Sequence, residues 1–350
     1  MSTRHQLNLS APAWNRLRLV YADQLRDTAF GVRLRYGLMG RYLSFLERVQ
    51  PPLPTPSAPP PLFVLGHWRS GTTMLHELLA CDPQFAYPST YACMNPQHFR
   101  TTERGAQQLA AGKSVARPMD AMSVSAASPQ EDEFALLCLG ARSAYEAVLF
   151  PAALHRALQA AEWEGLNEDE RAIWSGTVKR FVAGVQAQHP GKRLILKSPP
   201  HSWKVPALRA LYPDAQFVHI VRNPFDVAAS TRRMWQSLFG LYALTPQPWP
   251  DPLPEVVEFL ARLHARLDAD LPASDHAVVR FEDLAADRLG RARELYSALR
   301  LPGFDAAAPK FEAHIAATSA HQKNELKLAP AERELVEQRC GEILRRYRYA

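Results

Sequence analysis

The chain has 350 residues, 47% hydrophobic and 22% charged, a globular composition that excludes a disordered, collagen-like or small disulfide-scaffold chain. Lys and Arg number 41 against 35 Asp and Glu, a formal net charge of +6. The excess is local: residues 1–50 carry eight arginines against Asp23, Asp27 and Glu47, or +5, and the other 300 residues are +1, so no basic surface for nucleic acid spreads over the molecule.

Four cysteines, Cys81, Cys93, Cys138 and Cys340, form no CxxC pair and no zinc-type spacing with histidines, so they read as reduced thiols of a cytoplasmic protein. The N-terminus lacks the apolar run of a signal peptide, and no segment reaches the ~18–20 apolar residues that span a bilayer. Oligomeric state is not legible.

In chain order, Trp14 to Val49 reads as helix, with Leu17, Val20, Tyr21 and Leu25, then Leu34, Leu38, Tyr42 and Phe45, at spacings of three and four. Arginines occupy much of the other face. The segment reads either as a solvated helix packed on the domain or as a basic amphipathic element that docks on lipid or admits an apolar substrate. Residues 51–61, PPLPTPSAPPP, hold seven prolines and form an extended connector. Leu62–Leu65 is a buried strand, followed by a Gly-bounded turn and a helix from Thr72 to Ala80. Ser128-Pro129-Gln130-Glu131 has the order of a helix start, with serine as N-cap and glutamate three residues on.

Asn167 caps a long helix with Ile173, Trp174, Val178, Phe181, Val182 and Val185 on its apolar face, ended by His189-Pro190-Gly191. Strands follow at Arg193–Lys197, Ala215–Val221 and His276–Phe281, with helices at Ala207–Tyr212 and Asp226–Trp235 between them. Pro246–Pro254 is a loop, and Ala331–Ala350 a basic helix. Alternating strands and helices indicate an α/β fold with a parallel sheet. The expected organisation is a basic helical extension over 1–50, the connector over 51–61 and one α/β domain over 62–350.

The turn Gly66-His67-Trp68-Arg69-Ser70-Gly71-Thr72-Thr73 has the Gly-x4-Gly spacing of a phosphate loop, between a strand and a helix. Its glycines let backbone N–H groups converge on an anion at a helix N-terminus. A Walker A loop places lysine after the second glycine, for the β- and γ-phosphates of a nucleotide held with Mg²⁺. Here that position is Thr72, and the cation, Arg69, lies inside the loop. This suits a ligand with a single 5′ phosphate and a group in transfer, bound without a metal.

The segment Gly66–Thr73, continued by Met74-Leu75-His76-Glu77-Leu78-Leu79, resembles the 5′-phosphosulfate loop of sulfotransferases that use 3′-phosphoadenosine 5′-phosphosulfate (PAPS). The resemblance implies a P-loop NTPase-like parallel sheet flanked by helices, and it sets Arg69 against the oxygen bridging sulfur and phosphorus. Arg222-Asn223-Pro224, with Ser230 eight residues after the arginine, resembles the family's 3′-phosphate motif, in which an arginine and a serine hold that phosphate. Val279-Arg280-Phe281-Glu282-Asp283-Leu284 and Leu196-Lys197-Ser198-Pro199-Pro200-His201 resemble two further family segments. Likeness is greatest to bacterial members with GHWRSGTT and PxEDEF segments, some of which act on lipid or other apolar alcohols.

Sulfonyl transfer to a hydroxyl requires in-line positioning, cations for the leaving phosphate and a base for the hydroxyl proton. Arg69 and Lys197 supply the cations. The base is Glu131 or Glu133, from the cluster Glu131-Asp132-Glu133, or His201, with His67 a further candidate. Three acids at a helix start have an equally good explanation in capping. Lys323, with His321 and Asn324, is placed in a loop closing on the nucleotide or in an ordinary polar loop. The competing functions are a P-loop kinase using ATP–Mg²⁺ and a phosphonucleotide-binding module without catalysis.

Overall fold

A computed structural model of the chain describes residues 7–53, 58–110, 112–116, 123–271, 276–318 and 326–349. The backbone divides into two compact units, each assembled from three separate stretches of chain.

The unit made of Ala58–Tyr87, Gly191–Arg232 and Leu253–Ala350 contains a five-stranded, all-parallel sheet. Its spatial order is Phe85–Ala86, Arg193–Lys197, Leu62–Leu65, Gln216–Val221, His276–Arg280. The strand that comes first in the chain is central. Leu62–Leu65 is buried at every position, as a strand covered on both faces must be. Val64 stands in register with both Lys197 and Val218, and Val221 with Arg280, so these strands end along one carboxyl edge. The chain leaves the central strand toward one edge of the sheet and the neighbouring Gln216–Val221 strand toward the other, and such a switch point opens a crevice at the carboxyl edge. Leu75, Leu78 and Leu79 pack on Leu62, Val64, Ile195 and Val218 in the core beneath it.

The unit made of Met1–Ser57, Pro88–Pro190 and Arg233–Pro252 is mainly helical. Its longest helix, Glu168–Gln188, starts as the sequence indicates: the Asn167 side chain accepts from the Glu170 N–H at 2.9 Å, and Glu170 reaches back to the Asn167 N–H at 3.0 Å. Trp174, Val178, Phe181, Val182 and Val185 are buried, whereas Ile173, expected on the same face, is exposed.

Several expectations are corrected. The single helix expected from Trp14 to Val49 is two, Ala11–Val20 and Phe30–Arg48, separated by a short 3₁₀ turn at Gln24–Asp27. The break is a tertiary effect. Tyr21 is drawn inward, stacked on Phe150 at 4.4 Å and donating to Glu146, while extended Thr28 donates its hydroxyl to the Leu244 carbonyl. The two helices then fold against each other, with Trp14 stacked on Tyr36 at 4.8 Å.

The helix expected from Ser128 begins instead at Glu133. Ser128 turns on itself to accept from the Ser125 N–H, its carbonyl takes the Thr90 N–H at 2.8 Å, and the Gln130 N–H goes to the Pro88 carbonyl. Those cross-chain bonds occupy groups that a helical turn would have used. The helix after the Gln216–Val221 strand spans Pro224–Tyr242, longer than expected, and the helix Leu253–Asp270 was not foreseen behind its proline-rich leader.

Candidate functional site

All three loops that carry the anion-binding motifs leave the carboxyl edge of adjacent strands in the sheet unit: Gly66–Gly71 after the central strand, Lys197–Ser198 on one side, Arg222–Asn223 on the other. The sheet order makes neighbours of segments over 120 residues apart in sequence.

The first loop is held by its surroundings. The Gly66 N–H donates to Ser202 Oγ at 2.9 Å, and Ser202 Oγ donates back to the Gly66 carbonyl at 3.3 Å. Thr231 donates its hydroxyl to the Trp68 carbonyl at 3.2 Å, and Ser70 donates Oγ to the His67 carbonyl at 2.7 Å. Arg69 has φ 65° and Gly71 φ 99°, left-handed values that curl the backbone into a concave turn ahead of the Thr72–Leu79 helix. A left-handed arginine is a strained residue, kept by what surrounds it. At Gly71 only glycine fits, since a Cβ would stand 2.3 Å from Phe281 Cδ2. The N–H groups of Thr72 and Thr73 open the helix without intrahelical partners, as a helix start dictates, so they are available to an anion.

The cations converge on this turn. Arg69 Nε donates to Ser230 Oγ at 2.9 Å, and Arg222 Nη1 donates to the Arg69 carbonyl at 3.1 Å. Arg222 lies over the Phe281 ring, its Cζ 4.4 Å from the centroid, and pairs with Asp226 at 3.1 Å. The structure thus joins Arg69, Arg222 and Ser230, which the sequence spreads over two motifs, into one cluster. Lys197, 2% exposed, ends its strand beside the loop, with Nζ 3.4 Å from Thr73 Oγ1. Trp68 and His67 point into the core, packed on Phe259 at 5.2 and 5.8 Å, and contribute backbone rather than side chain to the loop.

The proposed bases belong to different units. His201 is fully buried in the sheet unit, edge-on to Phe63 at 5.5 Å. Glu131 and Glu133 belong to the helical unit. Glu133 is fully buried, whereas Glu131 is half-buried and accepts a hydrogen bond from the Tyr145 hydroxyl. The ring of Tyr145 stacks on Phe134 at 4.3 Å and meets Trp235 at 5.9 Å. Trp235 and Phe239 are core. His321, Lys323 and Asn324 lie outside the described residues.

Residues that sequence reasoning passed over do the holding. Ser202 and Thr231 clamp the loop. Glu282 accepts from the Asn223 N–H at 3.1 Å and from the Tyr349 hydroxyl at 2.7 Å, fixing the turn after Arg222. The Val279–Leu284 segment therefore acts through Phe281 and Glu282, under the arginine and behind its turn. The hydroxyls at 202 and 231 sit one residue beyond recognised motifs, and only that proximity signalled them.

Three imidazoles are buried behind the same loop. Burial holds His67 neutral, its pKa pulled down to about 4, and its Nδ1–H donates to the Trp68 carbonyl at 2.9 Å. Burial, together with charge repulsion from His67, lowers His264 to about 3. His219, 5.2 Å from His264, is lowered by burial and by the neighbouring histidines. The unfolded chain protonates these groups near pH 6.5, and the native fold does not. Their stabilisation is complete above pH 6.5 and is lost as pH falls toward 4. Urea midpoints measured from pH 7 to 4.5 should decline over that window, and His264→Phe should flatten the decline. A flat wild-type profile contradicts the assignment.

Comparison with known proteins agrees with this geometry. Residues 60–306 match the model of a family described as the sulfotransferase family. The omega-hydroxy-beta-dihydromenaquinone-9 sulfotransferase Stf3 of Mycobacterium bovis and of Mycobacterium tuberculosis is 36% identical over 296 residues, covering 83% of this chain and 76% of the relative. The crystal structure of sulfotransferase STF1 from Mycobacterium tuberculosis H37Rv superposes with a TM-score of 0.67 at 20% identity, covering 94% of this chain and 92% of that one. Sulfotransferase STF9 from Mycobacterium avium gives a TM-score of 0.68 at 19% identity, with 96% and 92% covered. At such identities the two structures establish a shared fold.

Proposed function

The chain belongs to the sulfotransferase family, whose reaction moves a sulfonate group from PAPS to an acceptor, and we propose that its acceptor is the hydroxyl of a lipid-like alcohol. What carries the reading of the site is the junction of Arg69, Ser230 and Arg222 around a phosphate loop with threonine in the lysine position. What supports the acceptor class is the menaquinone derivative in the name of the 36% identical relative.

In this reading Arg222 and Ser230 hold the 3′-phosphate, and the backbone of Gly66–Thr73 holds the 5′-phosphate. Arg69 and Lys197 stabilise the charge that develops on the leaving phosphate oxygen. The acceptor oxygen bonds to sulfur as the sulfur–oxygen bond to that phosphate breaks, giving a sulfate ester and 3′-phosphoadenosine 5′-phosphate. A base takes the hydroxyl proton. Of Glu131, Glu133 and His201, we assign this to Glu131, because it is the one residue of the three that is not fully buried. Four free thiols suit a reducing cytoplasm.

A kinase using ATP–Mg²⁺ is the competing reading, and a melting experiment separates the two. 3′-Phosphoadenosine 5′-phosphate at 100 times its Kd should stabilise the fold by about 2.7 kcal/mol, with no comparable effect of ATP–Mg²⁺. Stabilisation by ATP–Mg²⁺ alone refutes the reading. Transfer of labelled sulfonate to a panel of long-chain and isoprenoid alcohols then identifies the acceptor.

A further inference from the structure

The Phe30–Arg48 helix is apolar on both sides. Tyr36, Gly40 and Leu43 face inward, and the bare side of Gly40 admits the Ala11 backbone, which a Cβ would meet at 3.2 Å. The opposite side carries Phe30, Leu34, Leu38, Tyr42 and Phe45, between 48% and 70% exposed. At 3.6 residues per turn these five fall within an arc of about 120° facing away from Tyr36. A helix with a second apolar stripe, on the side away from its own core contacts, is ordinarily covered there by something.

Its charge indicates what covers it. Arg18, Arg35, Arg41 and Arg48 are exposed along this helical pair. Glu47, the only acid of the helix, is 3.3 Å from Arg180 and so already neutralised. A cleft of about 300 Å³ runs between the two helices, with Trp14, Phe30, Leu34 and Leu38 among its lining. Arg18, Arg33 and Arg41 complete it, and the buried Arg33 Nε has no hydrogen-bond acceptor among the described residues.

We propose that this face docks on an anionic lipid bilayer. The Phe30–Phe45 stripe lies at the boundary of headgroups and acyl chains, and the arginines engage lipid phosphates. A second copy of this chain is a poorer occupant, since it would set one row of arginines against another. Among the described residues no helix is long and apolar enough to cross a membrane, and this one lies in the interface plane.

The test is co-sedimentation of the full chain with vesicles. Vesicles of phosphatidylglycerol and phosphatidylcholine at 3:7 should bind it, and pure phosphatidylcholine only weakly. Each arginine contributes about fivefold, so a triple R35Q/R41Q/R48Q variant should lose about 100-fold. The pair L38E/F45E should lose binding at least tenfold while keeping its melting shift with 3′-phosphoadenosine 5′-phosphate, which separates this surface from the nucleotide site. Failure to bind anionic vesicles, or binding indifferent to these substitutions, overturns the proposal. So does a dimer in sedimentation velocity that L38E/F45E dissociates, which would make the face an interface between copies.

Discussion

Arg69→Ala and Lys197→Ala are each expected to lower the rate of sulfonate transfer by about 10²–10³-fold, the usual cost of removing one donor aimed at developing charge. Arg69 is held ready by Ser230 and by Arg222, so its guanidinium pays little reorganisation as charge moves to the leaving oxygen. Lys197 sits almost fully buried at the end of its strand, where a charge is felt more strongly than in water. Since a buried lysine also fills space, Lys197→Met serves as its control: it keeps most of the stem and removes the charge. The melting shift with 3′-phosphoadenosine 5′-phosphate should survive in the Lys197 variants, showing that a rate loss is not a folding loss. Full turnover in both Arg69→Ala and Lys197→Met would remove the catalytic assignment. Glu131→Gln belongs in the same series, since the true base loses kcat with little change in nucleotide affinity. If Glu133→Gln or His201→Ala shows that signature and Glu131→Gln does not, the base is reassigned.

Glu146→Ala is expected to destabilise the helical unit by about 3–5 kcal/mol, the cost of stranding buried charge. Glu146 is fully buried and accepts from Arg16 at 2.7 Å, from Arg142 at 3.0 Å, from the Tyr21 hydroxyl at 2.6 Å and from the Ser143 N–H at 3.1 Å. Arg16 also donates to the carbonyls of Gly140 and Ala141, which closes the Ala11–Val20 helix onto the C-terminal end of the Glu133–Leu139 helix. Without the carboxylate the mostly buried Arg16 loses its counter-charge, Arg142 keeps only Glu170, 2.7 Å away, and a buried hydroxyl loses its acceptor. Burial, the largest influence on the Tyr21 phenol, favours its protonated form and persists in the variant, so Tyr21 does not replace the lost anion. Glu146→Gln keeps some of the hydrogen bonds and should cost less. Urea unfolding followed by tryptophan fluorescence reads both, and a loss under 1 kcal/mol in Glu146→Ala would show the knot to be dispensable. The same knot changes the reading of the N-terminal arginines: Arg16 is consumed inside the fold, whereas Arg18, Arg26, Arg35, Arg41 and Arg48 are exposed.

The parallel strands were legible because they are buried on both faces. Leu62–Leu65 and Arg193–Lys197 are short apolar runs closed off by proline, glycine or charge, and both stand where the sequence puts them. The phosphate loop was legible for a related reason. A chain that wraps its backbone around an anion needs glycine where φ is positive, and Gly66 and Gly71 take those values. The helix start at Ser128 was misread because a serine followed by proline and glutamate describes a cap only when nothing else claims its backbone. Here Pro88 and Thr90, some forty residues earlier, do. The break at Tyr21–Thr28 escaped for the same reason, since the helical spacing runs on through it and the groups that turn the chain, Glu146 and Leu244, lie far along the sequence.

By itself, then, the sequence determined four of the five strands of the parallel sheet, all but the two-residue Phe85–Ala86, together with the anion loop, the arginine and serine of the second motif, and through them the family. Each depends on residues adjacent in the chain, whose conformational demands are local. Tertiary structure alone decided that Arg69, Ser230 and Arg222 form one cluster, that Ser202, Thr231 and Phe281 hold the loop in its strained shape, and that His67 faces the core. It also decided that one side of the Phe30–Arg48 helix is left bare. Helical period shows which residues share a face; which face meets the rest of the protein is settled only when the other elements have packed.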